Sequence, residues 1–576
     1  GSNRGDQERY SLKEARAKKR CLSMMWIDYR KAYDMLPHSW ILESLRLTKV
    51  AKNIKDLLEG SMPNWKTVLT ANGETLGEVS IKRGIFQGDS LSPLLFIVAM
   101  IPLTMLLKRE NLGYHFGPEK KLMNHLLFMD DLKLYGKNKE ELDALAGVVH
   151  KFSTDIRMEF GIDKCAVLVL KTGVKEEVQG FVLPDGEVVK EVDENGYRYL
   201  GVLEGAAIKT KEMKALIRNE YLRRVKLVAR SKLYAGNLVK AMNVWAVSVV
   251  RYTAGVLEWT KRELKDMDVR TRKILCMNEA FHMWSSVDRL YMKRKVGGRG
   301  LMSVVQCVES EKKGLEEYVM ASEEWVLKAV AEVLQVQVQE TKDDYVKRMG
   351  QERSDALKAK KLHGKFFNEV NGVADERSWQ WLRAGYLDKR TEAFACAAQE
   401  QVLKTRLYEA TVMKVADQNK MCRVCGKYVE SVGHLTSACD ALAQGDYLRR
   451  HDKLGLRVYW ELCGKLGVQR SENWYEEVAD GIRWSSDGRY EIWWNRTVFT
   501  TKAMEHNRPD LVVIDKGLKK WWIVDFSVPF DANVVRKERE KVERYGVLAK
   551  DVRCMYRVST VVVPIVVGAL GVVSKR

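Results

Sequence analysis

The stretch His125-Leu-Leu-Phe-Met-Asp130-Asp131-Leu-Lys-Leu-Tyr135 sets two adjacent carboxylates between apolar, strand-like runs. Burying unpaired charge is costly, so acids lifted on a strand–turn–strand hairpin stay in solvent or meet a cation. Taken alone, the pair has two readings. It is a surface turn, where Asp-Asp is common, or a means of holding a divalent metal ion beside a phosphate. Its neighbours along the chain decide between them.

Upstream, Met25-Trp-Ile-Asp28-Tyr-Arg-Lys-Ala-Tyr33-Asp34 is an apolar run ending in a carboxylate, with an aromatic following. Arg83-Gly84-Ile-Phe-Gln87-Gly88-Asp89-Ser-Leu-Ser-Pro93-Leu-Leu-Phe96 is a Gly/Gln turn entering an apolar helix, with Ser90 or Ser92 as the expected cap. Downstream stand Phe160-Gly161-Ile-Asp-Lys164-Cys165 and Tyr197-Arg-Tyr199-Leu200-Gly201-Val202. In this order and at these intervals the blocks resemble the palm of reverse transcriptases, specifically those of non-LTR (LINE-type) retrotransposons. Later segments resemble the group of these elements that carries a C-terminal restriction-like endonuclease, so the likeness covers nearly the whole chain.

That resemblance implies a multidomain α+β protein. A right-hand polymerase palm would occupy 21–205, a helical thumb 206–300, a helical linker 301–415, a CCHC zinc knuckle 416–452 and an α/β restriction-like endonuclease 453–576. Residues 1–20 are expected to be an N-terminal leader or the remnant of an arbitrary start. The family's fingers region, which precedes the first aspartate block, is missing from these twenty residues. The expectation is therefore an N-terminally truncated element protein, or one half of a split one partnered by the missing fingers segment.

Phosphoryl transfer to a primer 3′-hydroxyl uses two metal ions about 3.5–4 Å apart, so carboxylates from separate segments must meet at one spot. Asp28 and Asp130 are the candidate shared ligands and Asp131 the supporting carboxylate, with Mg²⁺ the ion that suits hard oxygen donors. The resemblance implies that Tyr33 packs under the incoming sugar, that Gln87 and Gly88 lie against template–primer and nucleotide, and that Lys164 serves the triphosphate. Read without it, Tyr33 is a core aromatic, Gly84–Gly88 a helix-entry turn and Lys164 a solvated loop lysine.

Cys422-Arg-Val-Cys425, His434 and Cys439 have the count and spacing of a closed tetrahedral Zn²⁺ site. A redox Cys-x-x-Cys is the competing reading and leaves His434 unexplained. Arg423, Lys427, Arg449, Arg450 and His451 would place positive charge on nucleic acid around it.

Nearer the C-terminus, Arg508-Pro509-Asp510-Leu-Val-Val-Ile514 and Trp521-Trp-Ile-Val-Asp525-Phe-Ser-Val528 form two apolar strands, each presenting an aspartate. They are strand-end turn residues, or a pair sharing a Mg²⁺ ion with a lysine nearby. The second case resembles the restriction-like nuclease core, whose usual lysine position, two residues after the second acid, is Ser527 here. Retrotransposon endonucleases move that lysine to the following helix, which implies Lys541, with Lys537 as runner-up and Tyr545 completing the pattern.

A formal charge of +20 and pI near 9.3 favour a polyanionic partner. Ten cysteines, mostly isolated, form no dense disulfide framework. The apolar tail 560–573 is too short and too Pro/Gly-broken to span a bilayer comfortably, and a buried strand followed by a turn is expected. No membrane partner is implied. The resemblance implies a nuclear enzyme that nicks chromosomal target DNA and extends the 3′-hydroxyl on element RNA with dNTPs. Two alternatives stand beside it. One is a truncated or domesticated nucleic-acid-binding protein without polymerase activity. The other is a telomere-type polymerase, which has no use for the nuclease core.

Overall fold

The computed structural model describes residue 12 and residues 14–416 and 419–575. Most of the expected 1–20 leader lies outside the described residues. The chain forms two compact units, one of 1–221, 247–267 and 304–346, the other of 222–246, 268–303 and 347–576. Helices of the expected thumb and linker, among them Thr210–Arg230, Lys261–Met277 and Val304–Ala321, are shared out between the two.

The first unit is built on an antiparallel sheet of β1 (Leu22–Ile27), β2 (His125–Phe128), β3 (Asp131–Gly136), β4 (Ala166–Lys171) and β5 (Val174–Glu176), in the order β2-β3-β1-β4-β5. Every residue of β1 is buried because both faces of the sheet are covered. Met25 and Ile27 point into a core shared with α1 (Ser92–Arg109) and α2 (Lys139–Asp155). Leu22, Met24 and Trp26 point to the opposite core, with Tyr135 and Tyr199. Each such aliphatic side chain contributes about 1.5–3 kcal/mol by leaving water. By length and composition α1 is apolar enough to cross a membrane, yet Leu95, Phe96, Ala99, Met100, Leu103 and Leu107 are buried against the sheet. Its cap is neither expected serine. Asp89 accepts from the backbone N–H groups of Leu91 and Ser92, both at 3.1 Å, because its carboxylate hangs over the open first turn.

On the Trp26 face lies a buried cation. Lys133, fully buried, donates to Glu204 at 2.7 Å, and Trp26 Nε1 donates to the same oxygen at 3.3 Å. The Lys133 ammonium also sits over the rings of Trp26 and Tyr199, 4.6 and 5.2 Å from their centroids. Glu204 ends the hairpin of Tyr197–Tyr199 and Val202–Glu204, whose turn residues Leu200 and Gly201 both have positive φ, 45° and 78°.

The second unit carries β6 (Ile482–Trp484), β7 (Tyr490–Trp494), β8 (Leu511–Asp515), β9 (Lys520–Ser527) and β10 (Ser559–Val566) in sequential order. The first three pairings are antiparallel and β9–β10 is parallel. A parallel pair needs a crossover, supplied here by a long helix (Val534–Tyr556). Alternation along β8 and β9 sends Val512, Ile514, Trp521 and Ile523 to that helix. Leu511, Val513, Val524 and Phe526 face the helix Leu448–Lys465, giving an α/β sandwich. The apolar tail is thus a half-buried edge strand rather than a fully buried one.

Replacing Lys133 by Met leaves Glu204 buried without its cation, which should lower stability by about 3–5 kcal/mol. Lys133→Met/Glu204→Met should recover most of that loss. Urea denaturation of the two variants tests this, and equal stability of the single variant and wild type would refute the burial argument.

Candidate functional site

The aspartates of the first unit share one sheet end because strand register brings their backbone positions there. The last β1–β3 pair is Ile27 with Leu132, so Asp28 and Asp131 are the next positions at the same sheet end. Asp130 occupies the two-residue turn of the β2–β3 hairpin beside Met129, a non-glycine residue held at φ 56°. Burial raises the Asp28 carboxyl above its ordinary range, opposed by Lys164 and reinforced by Asp130. Burial also pushes Asp131 up to about 6, with further contributions from Asp130 and Asp28. Mutual repulsion of this kind marks acids crowded for a cation, and hard oxygen donors on converging backbone suit Mg²⁺.

The other sequence-marked residues surround this cluster. Lys164 Nζ is 3.7 Å from Asp28 Oδ1. Tyr33 stacks on Phe96 with centroids 5.1 Å apart, its hydroxyl lies 4.0 Å from Met129 Sδ, and Asp130 helps raise its pKa after burial. The Gly84 turn is laid along Tyr33–Leu36 by Gly84 N–H to Leu36 O and Ile85 N–H to Tyr33 O, both 2.9 Å. Gly84 has φ 88°, and a Cβ there would lie 2.7 Å from Asp34 O, so only glycine permits this approach. Gln87 and Gly88 are exposed beyond it. Gly161, whose N–H donates to Asp28 O at 2.8 Å, packs against the same aspartate, and a Cβ there would be 3.2 Å from Asp28 Oδ1. Its supporting role carried no separate signal in the sequence.

Cys422, Cys425, His434 and Cys439 converge, with their ligand atoms all within 4.8 Å of one another. Zn–S bonds of about 2.3 Å at tetrahedral angles require sulfurs about 3.8 Å apart, so the four residues fit zinc. The Lys427 and Tyr428 N–H groups and His434 bring the Cys425 thiol down to about 6, against desolvation. The surrounding basic residues are less available than expected. Arg423 pairs with the buried Glu430 at 2.5 Å, Arg449 pairs with Asp446, and Arg450 donates to Val528 O. Likewise Arg294 and Arg299, from the basic run 293–299, are bound to the buried Glu392.

In the α/β sandwich, Leu511 pairs with Val524, so Asp510 stands opposite Asp525 at the next step, on the face of the Val534–Tyr556 helix. From that helix Lys541 forms an ion pair with Asp525, and Tyr545 lies close enough to help lower the pKa of the same carboxyl. Lys537 instead bonds Glu540 at 2.6 Å and lines a separate cavity of about 580 Å³. The structure therefore brings Lys541, not Lys537, to the acids. Burial and Asp510 raise the Asp525 pKa against the pull of Lys541. Asp510 is held low despite burial, by His451 and by the Phe526 N–H. His451 was marked only as a basic neighbour of the knuckle. Its Nε2 is 3.3 Å from Asp510 Oδ2 and its Nδ1 3.1 Å from Asp452, and the Asp510 hydrogen bond drives it up to about 9.

Residues 3–203, which contain the first carboxylate cluster, match the family described as reverse transcriptase (RNA-dependent DNA polymerase). This part of the chain is similar to the reverse transcriptases of R2 retrotransposable elements. It is 31% identical over 198 residues to the Retrovirus-related Pol polyprotein from type-1 retrotransposable element R2 of Nasonia vitripennis, covering 33% of this chain and 19% of that protein. The corresponding protein of type-2 element R2DM from Drosophila melanogaster is 30% identical, covering 31% and 17%. A type-1 R2 protein from Popillia japonica is 27% identical over 318 residues, 53% of this chain and 50% of that protein. The chain thus spans half or less of the length of these relatives. Among solved structures, telomerase from Candida tropicalis with a fragment of telomeric RNA aligns at 12% identity over 60% of this chain and 52% of its own, with a TM-score of 0.28.

The raised Asp131 pKa has a consequence for metal-free protein. Stability from the neutral acid is fully present below pH 3.8 and is lost as pH rises through about 6. Asp131→Asn should therefore stabilise the metal-free protein at pH 8 by about 1–2 kcal/mol, allowing for partial solvent screening, with the gain vanishing towards pH 4. Thermal melts in chelator at the two pH values check the sign.

Proposed function

We propose that this protein is a retrotransposon-encoded RNA-directed DNA polymerase and DNA endonuclease that performs target-primed reverse transcription in the nucleus. On this reading 21–205 is the palm, 206–300 the thumb, 301–415 the linker, 416–452 a zinc knuckle and 453–576 a restriction-like endonuclease. The observation that carries it is the presence of two separate carboxylate pairs on strand ends, Asp28 with Asp130/Asp131 and Asp510 with Asp525, the second joined by Lys541. The α/β sandwich around the second pair, with its acids on the sheet and its cation on the crossover helix, supports the nuclease assignment.

Divalent cations held by these acids would supply activation of the attacking oxygen and stabilisation of the leaving one. The chain's own residues do the rest. Tyr33, stacked flat on Phe96 beside the Asp130 turn, is a rigid wall under the incoming sugar. Lys164 stands at Asp28 on the edge of a cavity of about 700 Å³ whose lining mixes Arg30 and Lys31 with Glu159, Asp163, Asp185 and Glu187, so Lys164 itself is the cation offered to the triphosphate of a dNTP. At the second site Lys541 presents its ammonium to the scissile phosphate, and His451 with the Phe526 N–H fixes the orientation of Asp510. Net charge of +20 draws element RNA and chromosomal DNA to both. The knuckle is a structural mount.

Nicking of target duplex in Mg²⁺ should fall at least about 100-fold in Asp510→Ala, Asp525→Ala and Lys541→Ala, while Lys537→Ala keeps the cleavage step. Extension of a primer on RNA should be lost in Asp28→Ala and Asp130→Ala without loss of nicking. An active Asp510→Ala nuclease, or an active Asp130→Ala polymerase, would overturn the corresponding half. Metal analysis should find one zinc per chain, absent from a Cys425→Ser/His434→Ala variant; retention of zinc there would refute the knuckle.

A further inference from the structure

We propose that Tyr252 is a positioning residue for nucleotide addition, acting through the Leu200–Gly201 turn, which it pins beside the Asp131 strand end. The inference rests on the polymerase reading of the first unit.

Two contacts at its root fix this hairpin to the carboxylate-bearing sheet, and a third ties its tip to the helix Val247–Tyr252. At its root, Glu204 accepts from Lys133 at 2.7 Å, and Lys133 lies two residues along β3 from Asp131, hence on the same face. Beside it Tyr197, the cross-strand partner of Glu204, stacks on Trp26 at 5.2 Å, and Trp26 lies two residues before Asp28 on β1. Trp26 and Lys133 are themselves cross-strand partners, so the root of the hairpin is seated one same-face step below the two aspartates. At the tip, the Tyr252 hydroxyl donates to Leu200 O at 2.7 Å.

The tip contact is the one that a structural role alone explains least. The turn has both central residues at positive φ, and the Tyr252 ring lies in ordinary contact range of Gly201, its Cε1 3.5 Å from where a Cβ would stand. Tyr252 closes the helix Val247–Tyr252 and remains 49% exposed, so its ring adds little to any core. The charge of Asp131 reaches it nonetheless, as it reaches Tyr197. A half-exposed ring that spends its hydroxyl on a turn carbonyl, next to the acid cluster, aligns that turn with the reacting atoms. Orientation is where small displacements are expensive, since misplacement of about 1 Å costs about 100-fold in rate.

Tyr252→Phe removes only the hydroxyl. In the full chain it should lower kcat for primer extension on an RNA template by about 10- to 100-fold, leave KM for dNTP within about 2-fold, and leave the melting temperature unchanged. Hydrogen–deuterium exchange of the 197–204 amides should speed up in the variant while exchange in β1 and β3 stays as in wild type. Gly201→Ala, which strains the turn from the other side, should reproduce the kcat loss. Wild-type kinetics together with unchanged hairpin exchange in Tyr252→Phe would overturn the inference, as would a kcat loss matched by a fall in melting temperature. If the wild-type chain extends no primer, the polymerase reading fails, and the exchange of the hairpin amides still decides whether Tyr252 holds the turn.

Discussion

Crowding negative charge at the end of a β-sheet is the constraint on which this molecule turns. Asp28 and Asp131 feel the negative charge of Asp130, and burial makes the charge of Asp28 and Asp131 costlier still. They stay together because the strands behind them are buried on both faces, so the apolar run that leads into Asp28 cannot retreat without exposing Met25, Trp26 and Ile27. The second site repeats the solution differently. There, Lys541 from the crossover helix offsets the charge of Asp525, while His451 and a backbone N–H hold Asp510.

How much of this the sequence discloses follows from the range of the interactions. The β2–β3 hairpin is legible because the apolar, strand-like runs on either side of Met129-Asp130 are local. The strand before Asp28 and the two that carry or follow Asp525 and Asp510 are legible as continuous apolar runs, which are local too. Lys537 and Lys541 lie one turn apart on one helix face, and spacing cannot rank them; the height of the helix along β9 does. His451 is hidden altogether, since its contact with Asp510 exists only once a helix and a strand end far apart in the chain have packed. Lys133 is misleading rather than hidden. Alternation assigns it to the face of Asp131, and the hairpin that buries that face is a tertiary event.

Local polar chemistry shows the same division. Ser90 and Ser92 both suit a helix start by type, yet Asp89 takes the N–H groups because its side chain has the reach and charge to accept two of them. The basic residues near the knuckle read as phosphate contacts, and several turn out to be consumed by Glu430 and Asp446, just as Glu392 takes up Arg294 and Arg299. Net positive charge is thus an unreliable map of where a polyanion would lie.

The way the backbone is divided between its two compact units bears on how the protein can be handled. The path changes unit after 221, 246, 267, 303 and 346, so each unit is stitched from three separate stretches. No single cut yields either one as an uninterrupted fragment. A truncation at 346 keeps all the reverse-transcriptase core but also carries two orphaned stretches, 222–246 and 268–303, whose partners have been removed. Gene fragments designed from motif boundaries alone would therefore express sticky, incompletely packed polypeptides, whereas looped-out or circularly permuted designs respect the weave.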